Sequence, residues 1–328
     1  MSAPDLAKAV ITGGLGLIGS CLARRLAAGG TQVEVIDAFV SDGGAHAANL
    51  ASAPGVRIHR RDVQESGSLS GVFAGAAAVF HCAARTGHAR SMEHPLEDVA
   101  ANVAGTVAVL EAVRSHCPRA AVVFTSTRQV YGRAQTMPVD ECHPLRPPDI
   151  NAIGKRAAED CCLLYHRVHG IPASVLRLSN VYGPGLRVKD AKQMFLGIWL
   201  RRALEGLPFA VFGDGQQRRD LIHVDDAAAA LIAAASPAAA GRIYNVGHSD
   251  PVALSDLANR LVAIAGGSYE LIPFPVDRAA IDIGDWATDA SAIRNELGWS
   301  PRIDLEQGLR ATVAYYRTHL AAYVEGAA

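Results

Sequence analysis

The segment with the clearest chemical signature is the glycine-rich stretch 10–19, which reads VITGGLGLIG. An apolar, β-branched run precedes it and a segment of helical composition follows it, which predicts a strand, a turn and a helix in that order. In such a unit Gly13 permits the tight turn, Gly16 lets the backbone approach a pyrophosphate, and Gly19 lets the helix lie close to the strand. The unpaired N–H groups at the start of the helix then face the phosphates. The spacing predicts a dinucleotide-binding site.

Two further features support the dinucleotide site, and the first of them favours NAD. Residues 32–36 predict the second strand, and Asp37 follows it, about 20 residues beyond the glycine turn. Its carboxylate can accept hydrogen bonds from the adenosine ribose and would repel the 2′-phosphate of NADP. Residues 57–59 predict the third strand, and Asp62 and Val63 in its exit loop lie where an adenine ring is usually held. The sequence therefore predicts NAD rather than NADP.

The overall composition excludes several other classes of function. Half of the 328 residues are hydrophobic and the formal net charge is −1, so no basic surface points to nucleic acid or to an acidic membrane. The alanine-rich segment 227–240 is too short to span a bilayer, and the first eight residues lack the features of a signal peptide. The six cysteines show no metal-ligand spacing and are interpreted as reduced thiols. We expect a cytoplasmic protein with no metal, nucleic-acid or membrane partner.

Strands and helices alternate up to residue 178, which predicts a Rossmann-type, doubly wound parallel sheet in an α/β protein. From Asn180 onward the pattern changes, and a smaller C-terminal α/β substrate lobe is expected. We predict an NAD-binding domain over 1–178 with 221–242 returning to it, and a substrate lobe over 179–220 and 243–328. The predicted strands are 7–12, 32–36, 57–59, 76–81, 120–126 and 173–177, the predicted helices are 20–28, 97–116, 151–169, 193–206 and 227–240, and 82–91 is a predicted loop.

Several motifs occur together at family-specific spacing over nearly the whole chain. They are TGGLGLIGS, HCAARTG, Asn102, FTSTRQVYG, GKRAAE, RLSNVYGPG, GDGQQRRDLIHVDD, YNVG and ELGWSPR. With these motifs the chain resembles the extended short-chain dehydrogenase/reductase family, in its nucleotide-sugar epimerase/dehydratase branch. The resemblance implies NAD in the first lobe and a nucleoside-diphosphate sugar in the cleft between the lobes. It also implies transfer of hydride from a sugar C4 alcohol to the nicotinamide, which gives a transient 4-keto sugar.

Two residues match catalytic positions of that family. Thr127 stands at the place of the catalytic Ser/Thr, whose hydroxyl hydrogen-bonds the C4 oxygen in its alcohol and ketone states. Lys155 stands at the place of the lysine that holds the nicotinamide ribose and lowers the pKa of a neighbouring phenol. The alternative interpretations are a threonine that caps backbone at a strand end and a solvated helix lysine.

The phenol expected four residues before Lys155 is absent, because Asn151 stands at that position of the YxxxK motif. An amide cannot accept a proton from an alcohol at neutral pH, so the usual base for C4 oxidation is missing. Asp149 and Tyr131 are close in sequence, and Asp149 is the one that could reach the cleft. Tyr131 matches a family position that points elsewhere. The departure affects the oxidation step and not nucleotide binding.

The two residues after Thr127 also depart from the family. Its 4,6-dehydratases have Asp-Glu there and its decarboxylases have Glu at the second position, whereas this chain has Arg128 and Gln129. The carboxylate that would protonate the leaving C6 hydroxyl is missing, which disfavours a standard 4,6-dehydratase. Arg128 either faces a substrate carboxylate or phosphate or lies on the outer surface.

The nucleotide end of the substrate is expected among later motifs. Asn180 and Arg219 match the diphosphate-binding residues of the family, and Asp282 matches an acid that holds the nucleoside ribose. The arginine that usually precedes this acid by three residues is Ala279 here, with Arg278 one position away, which leaves a uracil preference open. The remaining implied contacts are to the cofactor at Leu17, Ile18, Ala83, Ala84 and Asn102, and to the substrate at Thr86. The motif histidines interpreted as structural are His81 and His223.

The combined prediction is an enzyme that modifies a nucleoside-diphosphate sugar, first of all a UDP-sugar, and most simply an epimerase. Thr127, Asn151 and Lys155 are placed at its reacting centre. Two alternatives stay open: an atypical member of the family that performs elimination or another step with a different base, and a non-catalytic protein that binds NAD and a nucleotide sugar. The family commonly dimerises through two helices of each subunit, here 97–116 and 151–169, so a homodimer is expected.

Overall fold

A seven-stranded sheet forms the central layer of the computed structural model, which describes residues 6–40, 44–65, 71–190 and 194–325. The strands are β1 (Lys8–Thr12), β2 (Gln32–Asp37), β3 (Arg57–Arg60), β4 (Ala78–His81), β5 (Ala121–Thr127), β6 (Ala173–Leu178), β7 (Asn180–Tyr182), β8 (Pro208–Phe212), β9 (Arg218–Arg219), β10 (Leu221–His223), β11 (Ile243–Val246), β12 (Val252–Ala253) and β13 (Ser268–Ile272). The helices are α1 (Leu17–Ala28), α2 (His88–Glu93), α3 (Pro95–Val99), α4 (Gly105–His116), α5 (Ile150–His169), α6 (Phe195–Leu204), α7 (Val224–Ala234), α8 (Leu254–Ala265), α9 (Val276–Ala279), α10 (Ser291–Leu297) and α11 (Leu305–Glu325).

The central sheet has the order β3-β2-β1-β4-β5-β6-β11, and every neighbouring pair in it is parallel. All residues of β4 and β6 are buried, because helices cover both faces of the sheet. Leu22 of α1 and Leu231 of α7 belong to the core on one face, and Val109 of α4 and Ala158 of α5 belong to the core on the other. The predicted Rossmann-type α/β fold is confirmed.

The segment that returns to the sheet is longer than predicted. Residues 221–242 supply β10 and α7, but the strand that pairs with β6 is Ile243–Val246. The predicted start of the second part of the substrate lobe at 243 is therefore wrong for these four residues. The physical reason is that this short apolar strand completes the edge of the sheet beside a strand that is already buried.

A separate hydrophobic cluster lies outside the sheet layers. It packs α6, β8, α8 and α11 together through side chains such as Trp199, Phe209, Leu257 and Tyr316, all of them buried. Strand β8 pairs in parallel with β13 beside it. This cluster is the structural basis for the proposed substrate lobe.

Two predicted segments, 97–116 and 82–91, differ in kind from what the structure shows. The single helix predicted over 97–116 is divided into α3 and α4 by a π-type turn at Ala100–Ala104. The predicted loop 82–91 contains the start of α2. Helix α6 was predicted to begin at residue 193, which lies outside the described residues. Residues 1–5, part of the N-terminal segment predicted to lack a signal peptide, also lie outside them. Within the described ranges, none of the helices has the length and apolar character required to cross a bilayer.

A buried ion pair joins α5 to the sheet. The side chains of Glu159 on α5 and Arg177 on β6 are 1% and 3% exposed, and Nη2 of the arginine lies 2.6 Å from Oε2 of the glutamate. Ser126 of β5 donates to the same carboxylate. Arg177 also donates to the hydroxyl of Tyr131 at 2.9 Å, and that hydroxyl donates to Oδ1 of Asn245 on β11 at 2.7 Å. One network therefore fixes α5 against β5, β6 and β11.

Replacing Glu159 by glutamine is expected to lower the free energy of unfolding by about 3–5 kcal/mol, because the guanidinium of Arg177 then stays buried without its counter-charge. Urea denaturation followed by circular dichroism measures this change. Asp160→Asn removes the same charge from an exposed neighbour on α5 and should change stability by less than about 0.5 kcal/mol. Equal effects of the two substitutions would contradict a dominant role for the buried pair.

Candidate active site

A cavity of about 1290 Å³ opens at the carboxyl ends of the parallel strands, where open α/β sheets bind their ligands. Its wall contains nearly every residue that the sequence singled out. Those present are Gly13, Gly16, Leu17, Ile18, Gly19, Asp37, Asp62, Val63, Ala83, Ala84, Thr86, Thr127, Arg128, Asn151, Lys155, Asn180, Arg219 and Asp282. Asn102 is not part of the wall.

The glycine turn before α1 leaves no room for a side chain at Gly13 or at Gly19. Gly13 has a φ of +68°, and a Cβ there would lie 2.6 Å from the backbone nitrogen of Ala83. A Cβ on Gly19 would lie 2.4 Å from the carbonyl oxygen of Gly13. Gly16 is the N-cap of α1, and the first turn of this helix carries no acidic residue. The turn therefore forms a backbone cradle that fits a pyrophosphate at the helix N-terminus.

Asp37 ends β2 at the edge of this cradle and is 8% exposed. Its carboxylate accepts the N–H groups of Leu15 at 3.0 Å and Phe39 at 2.9 Å, which fixes its orientation toward the cavity. Burial raises the pKa of Asp37, and the two N–H donors oppose that rise. Asp37 lines the cavity, and its contact with the adenosine ribose stays a prediction.

Asn102 does not line the cavity but supports the segment that forms the cofactor side of its wall. It lies in the π-type turn, accepts the N–H of Arg85 at 3.0 Å, and donates to the carbonyl of Arg85 at 3.2 Å and to Oδ1 of Asp98 at 2.8 Å. These bonds hold the segment that contains Ala83 and Ala84. His81 lies between the hydroxyls of Thr12 and Thr106, and burial lowers its pKa to about 3. A neutral, buried imidazole fits the structural role expected for it.

Thr127 and Lys155 both line the cavity. The hydroxyl oxygen of Thr127 accepts the N–H of Gln129 at 3.2 Å, so it caps backbone while its own O–H stays available to a ligand. Nζ of Lys155 donates to the carbonyl of Thr125 at 2.7 Å and lies 4.6 Å from the ring centroid of Phe124. Burial lowers the pKa of Lys155 to about 8. This lysine is a buried cation and not a solvated helix residue.

Asn151 is 5% exposed and its amide nitrogen is already engaged. It donates to the carbonyl of Arg85 at 2.8 Å and to Oδ2 of Asp98 at 3.1 Å. A direct role at the reacting centre stays a prediction, and the geometry describes a positioning residue. Tyr131 does not replace the absent phenol, because it is fully buried in the network around Arg177.

His88 is a cavity residue that the sequence reasoning missed. It is the first residue of α2, its side chain is 37% exposed, and Nδ1 lies 2.9 Å from Oδ2 of Asp149. Asp149 has a fully buried side chain and is the N-cap of α5, where it accepts the N–H of Ala152 at 2.8 Å. The available sequence signal was a histidine directly after the motif HCAARTG, at the carboxyl end of β4.

Arg128 points into the cavity and not to the outer surface. Its Nε donates to Oδ1 of Asn180 at 2.7 Å, and its guanidinium lies 5.5 Å from a ring centroid of Trp286. Its Nη1 is buried and has no hydrogen-bond partner among the described residues. Burial and the nearby Arg219 lower the pKa of Arg128 to about 9. A guanidinium with one buried N–H group left without a partner fits an anionic ligand.

Arg219 and Asp282 form an ion pair in the cavity wall. Nη2 of Arg219 lies 3.0 Å from Oδ1 of Asp282, and Oδ2 of the same carboxylate accepts Nε2 of Gln217 at 2.7 Å. Burial lowers the pKa of Arg219, and Asp282 opposes that shift. The ribose contact expected of Asp282 stays a prediction, since this carboxylate is held by neighbours here. Farther along the wall, the guanidinium of Arg278 lies 5.5 Å from the ring centroid of Phe212.

The chain matches known proteins over most of its length. Residues 9–247 match the model of the NAD dependent epimerase/dehydratase family. A dTDP-glucose 4,6-dehydratase of Actinoplanes sp. is 34% identical over 95% of this chain and 98% of the relative. A UDP-glucose 4-epimerase of Mycolicibacterium smegmatis is 31% identical over 94% of this chain and 98% of the relative. The structure of DesIV, a dTDP-glucose 4,6-dehydratase of Streptomyces venezuelae with NAD and TYD bound, superposes with a TM-score of 0.85 at 28% identity, covering 94% of this chain and 97% of that one.

The family assignment agrees with the glycine cradle, Asp37 and Lys155, which together fit bound NAD. It also agrees with the expected class of reaction, because the relatives modify nucleotide sugars. The chain therefore belongs to the NAD-dependent epimerase/dehydratase family and is an enzyme of its nucleotide-sugar branch.

Proposed function

We propose that this enzyme epimerises a nucleoside-diphosphate sugar at C4 through a transient 4-keto sugar, with UDP-sugars as the first candidates. The observation that carries the proposal is the wall formed by Thr127, Arg128 and Gln129 at the end of β5. It offers a hydroxyl for the C4 oxygen and no carboxylic acid for a leaving group at C6. Oxidation and re-reduction at C4 need the first group and not the second.

The positive charges in the cavity wall support binding of the diphosphate of a nucleotide sugar. Arg128 and Arg219 both line the cavity. Arg219 is paired with Asp282, whereas the buried Nη1 of Arg128 has no hydrogen-bond partner among the described residues and can bind an added anion. A diphosphate supplies two negative charges and acceptor oxygens in a geometry that suits arginine. Because Arg128 occupies Oδ1 of Asn180, the amide nitrogen of Asn180 stays free to donate to a phosphate oxygen.

The cofactor, Thr127 and Lys155 have separate roles at the proposed reacting centre. NAD, when bound in the glycine cradle, accepts a hydrogen with two electrons from the sugar carbon and returns it later. Thr127 can donate to the C4 oxygen through its free O–H while its oxygen remains fixed by Gln129. Lys155 lies at the base of the same wall, where its ammonium can hold the nicotinamide ribose.

Dehydration is the second candidate, because dTDP-glucose 4,6-dehydratases are among the relatives. It requires an acid near C6. Asp149 lies behind this wall with a fully buried side chain, and its Oδ2 is 3.4 Å from Nε2 of Gln129. Burial opposes its charge, but His88 and the N–H of Ala152 outweigh burial and lower the pKa of Asp149. An ionised carboxylate is not a proton donor, so this observation favours epimerisation.

The deciding experiment incubates the NAD-loaded protein separately with UDP-glucose and dTDP-glucose and follows the sugars by proton NMR. We expect a C4 epimer and no new C6 methyl signal. A 4-keto-6-deoxy product would replace epimerisation by dehydration. Binding without any product or cofactor reduction would instead support a non-catalytic protein that binds a nucleotide sugar.

Thr127→Val is expected to lower kcat by about 10²–10⁴-fold, because the proton-donating hydroxyl at the C4 oxygen is lost. Thr127→Ser keeps that hydroxyl and should stay within about 10-fold of the parent by the same reasoning. Steady-state kinetics with the sugar that turns over measures both. Equal losses in Val and Ser variants would mean that the shape of the threonine, and not its hydroxyl, supports turnover.

Asp37 is expected to make NADP bind at least about 2 kcal/mol, or roughly 30-fold, more weakly than NAD, since a 2′-phosphate would meet a buried like charge. Asp37→Asn removes the charge while keeping one acceptor oxygen, and should narrow the difference. Isothermal titration of the cofactor-free protein measures both affinities. Equal affinity of the unmodified protein for NAD and NADP would refute this role of Asp37.

We also propose a homodimer that packs the helical segments 97–116 and 151–169, which correspond to α3, α4 and α5, of two subunits together. The supporting observation is a set of exposed apolar side chains on and beside α5. They are Leu96, Val99, Ile153, Leu164 and Val168. Light scattering is expected to give twice the chain mass, and Val168→Glu should shift the protein toward monomer. A monomer mass at all concentrations would exclude the dimer.

A further inference from the structure

We propose that His88, held by Asp149, is the catalytic base that accepts the proton of the sugar C4 hydroxyl in place of the absent phenol. The inference rests on the proposed function, because it supplies the proton acceptor that oxidation at C4 requires.

The chain places His88 beside the position where the family has its phenol. The segment 85–88 lies against the first turn of α5, since Asn151 donates to the carbonyl of Arg85 and His88 contacts Asp149. Gly87 makes this placement possible, because it is buried and has a φ of +109°, a left-handed conformation that strongly favours glycine. His88 therefore emerges from a tight turn onto the cavity wall that also carries Thr127.

Asp149 is built as a fixed partner for the imidazole. Its side chain is fully buried, Oδ1 accepts the N–H of Ala152 at 2.8 Å, and Oδ2 lies 2.9 Å from Nδ1 of His88. The imidazole plane is not aligned for a linear hydrogen bond, so the contact is electrostatic at this ring angle. The helix N-terminus stabilises the negative charge that the imidazole faces.

This arrangement selects one tautomer of His88. Because Nδ1 faces a carboxylate, it carries the ring proton, and Nε2 keeps its lone pair. Nδ1 is shielded from solvent although the side chain as a whole is 37% exposed, and Nε2 has no hydrogen-bond partner in the described part of the chain. The basic nitrogen is thus the one available to a substrate in the cavity.

Oxidation at C4 breaks two bonds, and each hydrogen has its own acceptor. The C4 O–H bond breaks and its proton moves to Nε2 of His88. The C4–H bond breaks and its hydrogen leaves with the electron pair to the nicotinamide, so the sugar is oxidised to the ketone and NAD is reduced. Asp149 stabilises the imidazolium that results. Re-reduction on the opposite face of the sugar returns the same proton to the C4 oxygen.

Other groups near the reacting centre are less suited to this step. Asn151 has no basic atom, and its amide nitrogen is engaged by Arg85 and Asp98. Asp98 is 2% exposed and lies outside the cavity wall. Lys155 is a competitor because burial favours its neutral form, but its Nζ is bound to the carbonyl of Thr125 at 2.7 Å.

The test uses NAD-loaded protein, UDP-glucose and dTDP-glucose as probes, and the near-ultraviolet absorbance of reduced cofactor as the readout. His88→Gln is expected to slow cofactor reduction by about 10²–10⁴-fold, since glutamine cannot accept the proton. His116→Gln makes the same change at an exposed residue on α4 and should behave like the parent. In His88→Ala, added imidazole is expected to restore part of the rate, which a purely structural role would not allow.

Asp149→Asn separates positioning from folding, because asparagine is an equally good N-cap for α5. It is expected to lower kcat while leaving the calorimetric affinity for UDP-glucose unchanged. A readout independent of turnover is ¹⁵N NMR of the resting protein, in which His88 should carry its proton on Nδ1. Asp149→Asn should weaken that tautomer preference.

Two results would overturn the assignment while leaving the proposed function intact. One is cofactor reduction by His88→Gln at the parental rate, which would point to the amine of Lys155. The other is a His88→Ala variant that loses UDP-glucose binding and does not respond to imidazole, which would make His88 structural. If the parent binds either sugar and never reduces the cofactor, the proposed function fails and this role of His88 fails with it.

Discussion

The ion pair between Glu159 and Arg177 fixes the geometry on which the active site depends. It is buried between α5 and β6, and Ser126 and Tyr131 extend it to β5 and to the strand β11 that completes the sheet. Helix α5 carries Lys155 one turn before Glu159, and β5 ends at Thr127, directly after Ser126. A buried, bidentate pair has little freedom to rotate or slide without exposing an uncompensated charge. The hydroxyl and the ammonium at the reacting centre are therefore set by a contact that no ligand touches.

The amide at position 151 belongs to a local arrangement and is not an isolated loss. Asp98 is 2% exposed and accepts hydrogen bonds from Asn102 at 2.8 Å and from Asn151 at 3.1 Å. A phenol at position 151 would stand beside this buried carboxylate, which would raise the pKa of the phenol and leave less of it in the phenolate form that accepts a proton. An amide donates to the carboxylate instead. The exchange at 151 and the acid at 98 thus support each other, and both move proton transfer to another group.

The sequence was sufficient for the parts of the molecule that local pattern determines. The apolar runs at β1, β4 and β5 predicted a parallel sheet, and the glycine turn with Asp37 predicted the cofactor cradle, because both signals lie within a few residues of one another or at a fixed βαβ spacing. The π-type turn at Ala100–Ala104 was not predictable, since its residues have ordinary helical composition. The pairing of β11 with β6 depends on which strand edge remains open, which only the folded sheet defines.

The residues that line the cavity were predicted only in part from the sequence, for the same physical reason. Thr127, Lys155 and Asn180 were placed by motif, but the inward orientation of Arg128 depends on its contacts with Asn180 and Trp286. The contact between His88 and Asp149 joins the start of α2 to the N-cap of α5, which are distant in sequence. Neither residue belongs to a periodic pattern. Tertiary packing creates this pair, and the position of His88 directly after HCAARTG gave no indication of its contact with Asp149.

The acidic and basic groups along the cavity determine which reaction can follow removal of the C4 hydroxyl proton. The charged and titratable groups that line the cavity include Asp37, His88, Arg128, Lys155 and Arg219. Asp37 is proposed to lie at the cofactor end and the two arginines at the nucleotide end. With His88 as base, a 4-keto intermediate coexists with an imidazolium that holds the abstracted proton. Epimerisation returns that proton to the oxygen from which it came, and needs no second acid. Elimination would need a proton at C6 as well, and the described wall formed by residues 127–129 provides a hydroxyl, a guanidinium and an amide, none of which is an acid at neutral pH.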